Sequence, residues 1–425
     1  MNKLAPTQFI EFFGALYQDR ENNPLVPMKW QMELVHAACE GKWHEFIDVP
    51  TGAGKTSAID IAVFALAVQA DRPPEKRSAP MRTFLVVDRR TIVSEAYYRA
   101  EKMSEKLRSA KDGILKVVAD KLRSYSGGNA NSEPLAVVQL RGGIYRDPGW
   151  FDSLSQPMVI ASTVDQVGSR LLFRGYGVST SSRPIQAAAV AHDSLIILDE
   201  AHISPAFSQT LGYIQEYQQS PWCEAPQPLP LKLVQMTATP PEDSDTTKNL
   251  RVDDTELNDP TTRIGRLVST NKRAKLVVGE KIKGAKAPKQ LATILVEEAL
   301  SLAFPDEVEQ ASGLNTDSPK VIAIMCNMVA TAKEVIGLLN KNKKIADDQV
   351  ELIIGAMRPL DRDSQTDRLR EKISTGTDRD QITEPIFVVA TQCIEVGADY
   401  DFDILVTEAA PVSYTHLTLP TICSV

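Results

Sequence analysis

Two short clusters of residues carry the chemistry that this sequence is expected to perform. The first spans residues 49–57 and reads Val-Pro-Thr-Gly-Ala-Gly-Lys-Thr-Ser. Glycines allow a backbone to turn tightly and to direct several N–H groups at one anion. In such a surface-exposed loop the lysine meets the β- and γ-phosphates of a nucleoside triphosphate, and the hydroxyl binds Mg²⁺. The residues predicted to contact the nucleotide here are Thr51, Gly52, Ala53, Gly54, Lys55 and Thr56.

The second cluster consists of two carboxylates and a histidine, Asp199, Glu200 and His202, which follow an apolar run. Asp199 is expected to hold Mg²⁺ through its waters, with Thr56 as the other metal ligand. Glu200 is expected to orient and deprotonate the attacking water, because phosphoryl transfer depends mostly on positioning and electrostatics. The position of His202 suits the sensing of a second lobe. ATP and Mg²⁺ are therefore the predicted cofactors, and the predicted catalytic residues are Lys55, Asp199, Glu200 and His202.

Apolar runs that predict buried strands alternate with helical stretches along the chain. This alternation is typical of parallel α/β sheets. The small and apolar stretch 57–70 predicts a helix directly after the phosphate loop, and the dipole of that helix favours an anion at its N-terminus. The predicted strands are 46–49, 84–87, 158–161, 195–198, 233–236, 321–324, 352–354, 387–390 and 404–406.

The predicted strands fall into two sets that divide near residue 245. The stretch that follows is acidic and rich in turns at first and then basic, with a short strand candidate at 274–278. Charge runs of this kind are more often a solvated connector than a binding site. The predicted organisation is an N-terminal segment (1–24), an ATP-binding lobe (25–245), a connector (246–289) and a second lobe (290–411).

Polar residues at the ends of the predicted strands supply candidate nucleic-acid contacts. Hydroxyls and amides at strand ends lie in the crevice above a parallel sheet, where they suit sugar–phosphate contacts. Taken singly, each group could equally be a polar strand end, and their order along the chain favours the functional interpretation. The predicted nucleic-acid contacts are Arg89, Thr163, Gln166 and Thr391.

Further positions are predicted to read the nucleotide or to couple its hydrolysis to motion. Gln31 precedes the phosphate loop at a position suited to reading the adenine edge. Thr237 and Thr239 follow a strand and suit coupling between hydrolysis and lobe movement. Gly397 and Asp399 lie in a turn of the second half that could touch the nucleotide.

Composition is ordinary for a globular enzyme of 425 residues, with 43% hydrophobic and 24% charged residues. The longest apolar runs are too short to cross a membrane, and the N-terminus lacks the apolar region of a signal peptide. The five cysteines form no C-x-x-C pair, which favours a reducing, cytoplasmic location and argues against a zinc site. The net charge of −8 limits any nucleic-acid contact to a local groove.

The complete set of motifs resembles superfamily 2 helicases of the DExH type, and within them the CRISPR-associated helicase–nuclease of type I interference systems. The stretches 87–93, 140–143, 162–179 and 357–363 carry this narrower resemblance, in a form similar to the U or G subtype. The resemblance covers about 25–411 and implies two RecA-like parallel-sheet lobes in tandem. It further implies ATP-driven movement on single-stranded DNA and an RNA-guided surveillance complex as partner.

Two departures from that family qualify the resemblance. The family carries an HD-type nuclease, which needs several histidines and aspartates, and this sequence has five histidines. The dipeptide His192-Asp193 is interpreted as a turn, so the nuclease domain is expected beyond the C-terminus. Residues 412–425 resemble a translated sequencing adapter and follow no arginine-rich final helicase motif. The second lobe is therefore expected to be truncated, and 412–425 to be a non-native tail.

Alternative functions remain open on the sequence. A DExH RNA helicase and a restriction-enzyme motor share the same motifs and differ in substrate. A nucleotide-binding fragment without turnover is the non-enzymatic alternative.

Overall fold

The chain divides into two compact units, Met1–Arg266 and Leu267–Val425. None of the helices in the part of the chain that is described is long and apolar enough to cross a membrane. The computed structural model describes residues 3–19, 21–50, 52–88, 90–142, 150–151, 153–225, 227–237, 248–269, 274–277, 284, 286–304, 320–355, 357–358, 361, 364–365, 368–369, 372–373, 381–391 and 400–408.

The first unit is built on a parallel sheet with the strand order β3-β4-β2-β5-β6-β1-β7. Its central strands are apolar runs buried along their whole length, as expected for a parallel sheet covered on both faces. The strands are β1 (Phe46–Asp48), β2 (Arg82–Val87), β3 (Ala136–Leu140), β4 (Met158–Thr163), β5 (Ser194–Asp199), β6 (Lys232–Met236) and β7 (Asn249–Arg251).

Among the described residues, helices connect β1 to β2, β2 to β3, β4 to β5 and β5 to β6, as parallel pairing requires. Short 3₁₀ turns at Lys55–Ser57 and Ala201–Ile203 follow β1 and β5, where the two chemical clusters lie. The helices are α1 (Phe9–Leu16), α2 (Lys29–Glu40), α3 (Ala58–Val68), α4 (Arg90–Ser109), α5 (Gly113–Tyr125), α6 (Val164–Leu171), α7 (Arg183–Ala191), α8 (Pro205–Tyr217), α9 (Asp254–Leu257) and α10 (Arg263–Ser269).

The second unit contains a parallel sheet with the order β11-β8-β10-β9. Its central strands are buried, and apolar clusters cover the sheet on both faces. The described elements are α11 (Ala287–Ala303), β8 (Val321–Met325), α12 (Val329–Leu339), β9 (Val350–Ile353), β10 (Ile386–Ala390) and β11 (Ile404–Thr407).

The predicted class, two parallel α/β sheets in tandem, is confirmed, and every predicted strand except 274–278 corresponds to an observed one. Residues 274–277 have no regular secondary structure, so that strand prediction is wrong for them. The two edge strands of the first sheet, β3 and β7, were not predicted from the sequence. Strand β7 pairs with β1 inside the segment predicted as a connector, and the units divide within the same segment.

Candidate active site

The phosphate-binding loop joins β1 to α3 and depends on its glycines. Gly52 and Gly54 have φ values of 81° and 75°, a region that side chains rarely adopt. A Cβ on Gly54 would also lie 3.2 Å from the amide nitrogen of Gln31. The loop then enters the 3₁₀ turn Lys55–Ser57 and continues into α3. The strand–loop–helix context required by the sequence motif is therefore present.

Lys55 and Glu200 face each other at the ends of β1 and β5. Lys55 Nζ lies 3.7 Å from Glu200 Oε1, and each residue retains 8% of its exposure. This distance suits an ion pair and is too long for a hydrogen bond. Lys55 Nζ and Glu200 Oε2 are buried without a hydrogen-bond partner among the described residues. The expectation of a surface-exposed loop is wrong at Lys55, because its side chain is held against Glu200.

These orphaned polar atoms fit a nucleoside triphosphate. A buried ammonium without hydrogen bonds is costly, and phosphate oxygens would satisfy its three donors. A carboxylate oxygen without a partner is likewise suited to accept a hydrogen bond from a water. A cation and a carboxylate, each with an unsatisfied polar atom, thus lie side by side in this cluster.

The backbone of Glu200 adopts a left-handed conformation, with φ of 49° and ψ of 51°. Non-glycine residues occupy this region at an energetic cost, and such strain concentrates at functional sites. The Glu200 N–H donates a hydrogen bond of 3.0 Å to Asp199 Oδ1. This sharp turn presents two consecutive carboxylates at the end of one strand.

Asp199 lies in an environment that disfavours its charged form. Burial, followed by the neighbouring Glu200 carboxylate, raises the pKa of Asp199 to about 6. A divalent cation would reverse that balance, because it favours the ionised carboxylate. The described residues contain no group of three or more acidic, histidine or cysteine side chains able to hold a metal. Mg²⁺ fits Asp199 and Thr56 nonetheless, because it takes most of its ligands from waters and substrate phosphates.

His202 connects the acidic cluster to the end of β6. Its Nδ1 lies 3.5 Å from Glu200 Oε2 and 3.4 Å from the hydroxyl of Thr237. The Thr237 N–H donates to the carbonyl of Ile47 in β1. Burial, together with the Lys55 ammonium, lowers the pKa of His202, so the ring is neutral at physiological pH. The predicted catalytic and coupling residues Lys55, Glu200, His202 and Thr237 thus form one contact chain.

Gln31 has a structural connection that the sequence did not reveal. Its Oε1 accepts a hydrogen bond of 2.7 Å from the Met28 N–H, and its Nε2 donates one of 2.8 Å to Ser57 Oγ. The buried amide therefore ties the start of α2 to the turn that carries Lys55. Its reading of adenine stays a prediction.

The predicted nucleic-acid contacts are distributed over both units. Thr163 ends β4, and Gln166 lies one turn later in α6, where Arg170 donates to its backbone and side-chain oxygens. In the second unit, the Thr391 N–H donates to the carbonyl of Ile353. The predicted site residues Thr51, Arg89, Thr239, Gly397 and Asp399 lie outside the described residues.

The dipeptide His192-Asp193 has a structural role, consistent with its interpretation as a turn. Asp193 has a φ of 51°, and its carboxylate accepts two hydrogen bonds of 2.8 Å from Arg77. It accepts a third from the Met81 N–H. The carboxylate therefore fixes the turn before β5 to the segment that leads into β2.

A buried polar cluster behind the phosphate loop escaped the sequence interpretation. The Asp60 carboxylate, on the first turn of α3, contacts Arg99 Nη2 at 2.5 Å and accepts a hydrogen bond from the Tyr17 hydroxyl. The Arg99 guanidinium also lies 4.4 Å from the centre of the Tyr17 ring. These contacts join α3 to α4 and to the N-terminal segment. The available signal was a single aspartate inside the otherwise apolar helix α3.

Two family models match this chain, one in its first half and one in its second half. The model of the type III restriction enzyme res subunit matches residues 24–242, which is more than half of the chain. The model of the C-terminal part of the CRISPR-associated nuclease/helicase Cas3 matches residues 318–416. A search of curated proteins gives no match.

Solved structures of helicases have the same fold. T. fusca Cas3 matches with a TM-score of 0.55 and 17% identity, over 93% of this chain and 44% of that chain. Its complex with AMPPNP matches with a TM-score of 0.52 and 17% identity, over 93% and 43%. The DEAD-box helicase Mss116, bound to ssRNA and UDP-BeF, matches with a TM-score of 0.58 and 15% identity, over 99% and 73%.

The chain spans less than half the length of the Cas3 structures. The two parallel sheets are RecA-like lobes, as the resemblance implied, and the predicted resemblance to the CRISPR-associated helicase is confirmed. The chain therefore belongs to the family of the type III restriction enzyme res subunit, and its residues 318–416 are similar to the C-terminal part of Cas3.

Proposed function

We propose that this protein is an ATP-dependent motor that moves along single-stranded DNA within a type I CRISPR interference system. The buried Lys55 ammonium, without a hydrogen bond and 3.7 Å from the Glu200 carboxylate, is the observation that supports this most directly. An unsatisfied cation beside a general base, at the end of a glycine loop, suits binding and hydrolysis of a triphosphate.

Each residue of the cluster has a defined task in that reaction. Lys55 holds the β- and γ-phosphate oxygens, and the N–H groups of the glycine loop add to the positive field. Glu200 orients a water for attack on the γ-phosphorus and accepts its proton. Because little covalent chemistry falls to the protein, this positioning accounts for most of the catalysis.

Thr56 and Asp199 would hold Mg²⁺, which would supply positive charge to the phosphates. Thr237 and His202 then link the site to β6, since His202 contacts both the base and the threonine hydroxyl. A change at Glu200 during hydrolysis is thereby communicated to Thr237.

The substrate and partner follow from the family resemblance. That resemblance implies single-stranded DNA as the track and an RNA-guided surveillance complex as the partner, and the match to Cas3 over 318–416 supports the resemblance. We propose an HD nuclease domain as a further partner of the motor, a U/G-like subtype, and a cytoplasmic location. Thr163, Gln166 and Thr391 are proposed to contact the strand.

A second candidate is a restriction-type motor that tracks duplex DNA. The family match over 24–242, which contains Lys55, Asp199 and Glu200, favours it. The two candidates share their ATP chemistry and differ in the nucleic acid that stimulates hydrolysis.

Stimulation of hydrolysis by different nucleic acids separates these functions. We expect single-stranded DNA to stimulate ATP hydrolysis by this motor more than single-stranded RNA or blunt duplex DNA of equal length. Preferential stimulation by duplex would favour the restriction-type motor, and preferential stimulation by RNA would favour an RNA helicase. ATP binding without turnover under all conditions would identify a non-catalytic nucleotide-binding fragment.

A further inference from the structure

The chain displays an exposed apolar and basic loop directly after α6. Leu172, Phe173 and Tyr176 retain 62%, 60% and 58% of their exposure, and Arg174 between them is exposed as well. Large rings on a surface expose apolar area that is normally buried in a core or a complex. We call residues 172–176 the aromatic loop.

The conformation of the aromatic loop exposes Phe173 at the cost of backbone strain. Phe173 has a φ of 57°, which is a true outlier for a bulky side chain. Hydrogen bonds to the end of α6 hold it there, because the N–H groups of Arg174 and Gly175 donate to the Ser169 carbonyl at 2.8 and 3.0 Å. A Cβ at Gly175 would lie 2.7 Å from Val178, so the turn also requires this glycine. The loop is thus preorganised to present its side chains.

The chain segment that contains the loop carries basic and no acidic side chains. Residues 166–192 contain no aspartate or glutamate, although the whole chain has a net charge of −8. The same stretch contains three arginines. Arg170 is buried and braces the loop from inside through Gln166 and Gln186. Arg174 has no ion-pair partner among the described residues, and Arg183 Nε is buried without a hydrogen bond. The loop is therefore complementary to an anionic partner.

We propose that the aromatic loop binds single-stranded nucleic acid. Bases stack on Phe173 and Tyr176, and Arg174 contacts a phosphate. Aromatic rings interleaved with a cation are the recurring solution for single strands, because every base offers a face for stacking. This inference rests on the proposed function and extends its track beyond the contacts predicted from motifs.

The position of the loop in the fold supports this assignment. The predicted contact Thr163 precedes α6, and the aromatic loop follows it. Eight residues of helix span about 12 Å, the length of a few nucleotides. A strand that touches Thr163 can therefore reach the loop along α6.

A second exposed aromatic group provides a matched control. Tyr213, Tyr217 and Trp222, at the end of α8, retain 58%, 55% and 63% of their exposure. Their acidic neighbours Glu216 and Glu224 repel phosphates. Removing two rings here takes away more aromatic area than removing Phe173 does, in a setting of opposite charge.

The test measures binding of the full chain to a labelled 20-nucleotide oligo(dT) and to an abasic strand of the same length. Phe173→Gly removes the ring and places a glycine where φ is positive, so the loop backbone can keep its conformation, and a thermal melt checks that the variant is folded. We expect oligo(dT) affinity to fall at least about five-fold in Phe173→Gly, as for the loss of one stacked base. It should not change in the double variant Tyr213→Ala/Tyr217→Ala.

Binding to the abasic strand tests the stacking role of Phe173, and the salt dependence of binding tests the phosphate contact of Arg174. The abasic strand should bind the wild type and Phe173→Gly equally, since it offers no base to stack. Arg174→Ala should reduce the slope of log affinity against log salt by about 0.7, the value for one phosphate of a single strand.

The possible outcomes distinguish a failure of the loop proposal from a failure of the proposed motor function. Unchanged oligo(dT) affinity in Phe173→Gly and Tyr176→Ala would overturn the proposal and assign the patch to a protein partner, with the motor function intact. If these variants bind oligo(dT) more weakly and the wild-type chain hydrolyses no ATP, the proposed role of the loop stands and the proposed motor function is refuted. Absence of binding by the wild type would overturn both.

Discussion

Lys55 Nζ lies 3.7 Å from Glu200 Oε1, and the two side chains are buried together at the carboxyl ends of β1 and β5. The cation that should hold phosphate and the carboxylate that should activate water therefore compensate each other electrostatically. When phosphate oxygens engage Lys55, one anionic partner replaces another, and the carboxylate is released to bind a water. We propose that nucleotide binding and activation of the base are coupled through this pair.

Replacing Lys55 should separate activity from stability. Lys55→Ala removes the phosphate-binding cation, and we expect ATP hydrolysis to fall by about 100-fold or more, as for the loss of one preorganised charge-stabilising group. It also leaves Glu200 buried without its cation, which costs about 1–3 kcal/mol of unfolding free energy. Hydrolysis assays and denaturant titrations measure the two effects.

The control for this substitution is the double variant Lys55→Ala/Glu200→Gln. It should recover much of the lost stability and none of the activity. Wild-type hydrolysis in Lys55→Ala would show that the phosphate-binding assignment is wrong.

Thr237 should couple hydrolysis to movement and contribute little to hydrolysis itself. Thr237→Val keeps the shape of the side chain and removes the hydroxyl that lies 3.4 Å from His202 Nδ1. We expect ATP turnover within a few-fold of the wild type and fewer nucleotides translocated per ATP. Displacement of streptavidin from the end of a biotinylated single strand, measured beside phosphate release, gives this ratio. An unchanged ratio would remove Thr237 from the coupling path.

The Asp60 cluster should stabilise the phosphate loop from behind. Asp60→Asn leaves the Arg99 guanidinium without its carboxylate, and breaking a buried pair in this way costs about 3–5 kcal/mol. Tyr17→Phe loses one hydrogen bond to Asp60 and should cost about 1–3 kcal/mol. Denaturant unfolding measures both. Equal stabilities of wild type and Asp60→Asn would show that the cluster contributes nothing.

Thiol alkylation should distinguish the folded from the denatured chain at Cys39 and Cys326. Burial raises the pKa of Cys39 and of Cys326 to about 12. Both thiols therefore stay protonated in the folded chain at pH 9, where an unfolded thiol is largely ionised. Because the folded state holds these protons, the stability they contribute is present below the unfolded pKa and is lost as the pH rises towards 12. Iodoacetamide at pH 9 should label both only after denaturation. Rapid labelling of native Cys39 would contradict its burial.

The sequence was sufficient to predict the central strands and the chemical clusters. Runs such as β2 and β5 are uniformly apolar because both faces of a parallel sheet are covered. The edge strands were less visible. Strand β7 has three residues, and its burial depends on pairing with β1 across a long sequence separation.

Side-chain partnerships were the part that sequence could not supply. The burial of Lys55 depends on Glu200, and the orientation of Gln31 depends on Ser57, both distant in the chain. The exposure of Phe173 was also invisible, because an aromatic residue after an amphipathic helix ordinarily predicts a core position. Such relationships arise only once the sheet has brought the strand ends together.

ATP binding and ATP hydrolysis by the Glu200→Gln variant test most directly the central claim that Glu200 is the general base. The substitution keeps the size of the side chain and removes its ability to accept a proton from water. Equilibrium binding of ATP–Mg²⁺ and single-turnover hydrolysis are measured with saturating single-stranded DNA, for the wild type and this variant. We predict nucleotide affinity close to that of the wild type and hydrolysis at least about 100-fold slower. Hydrolysis at the wild-type rate, or a loss of affinity as large as that of Lys55→Ala, would contradict the assignment of Glu200 as the base.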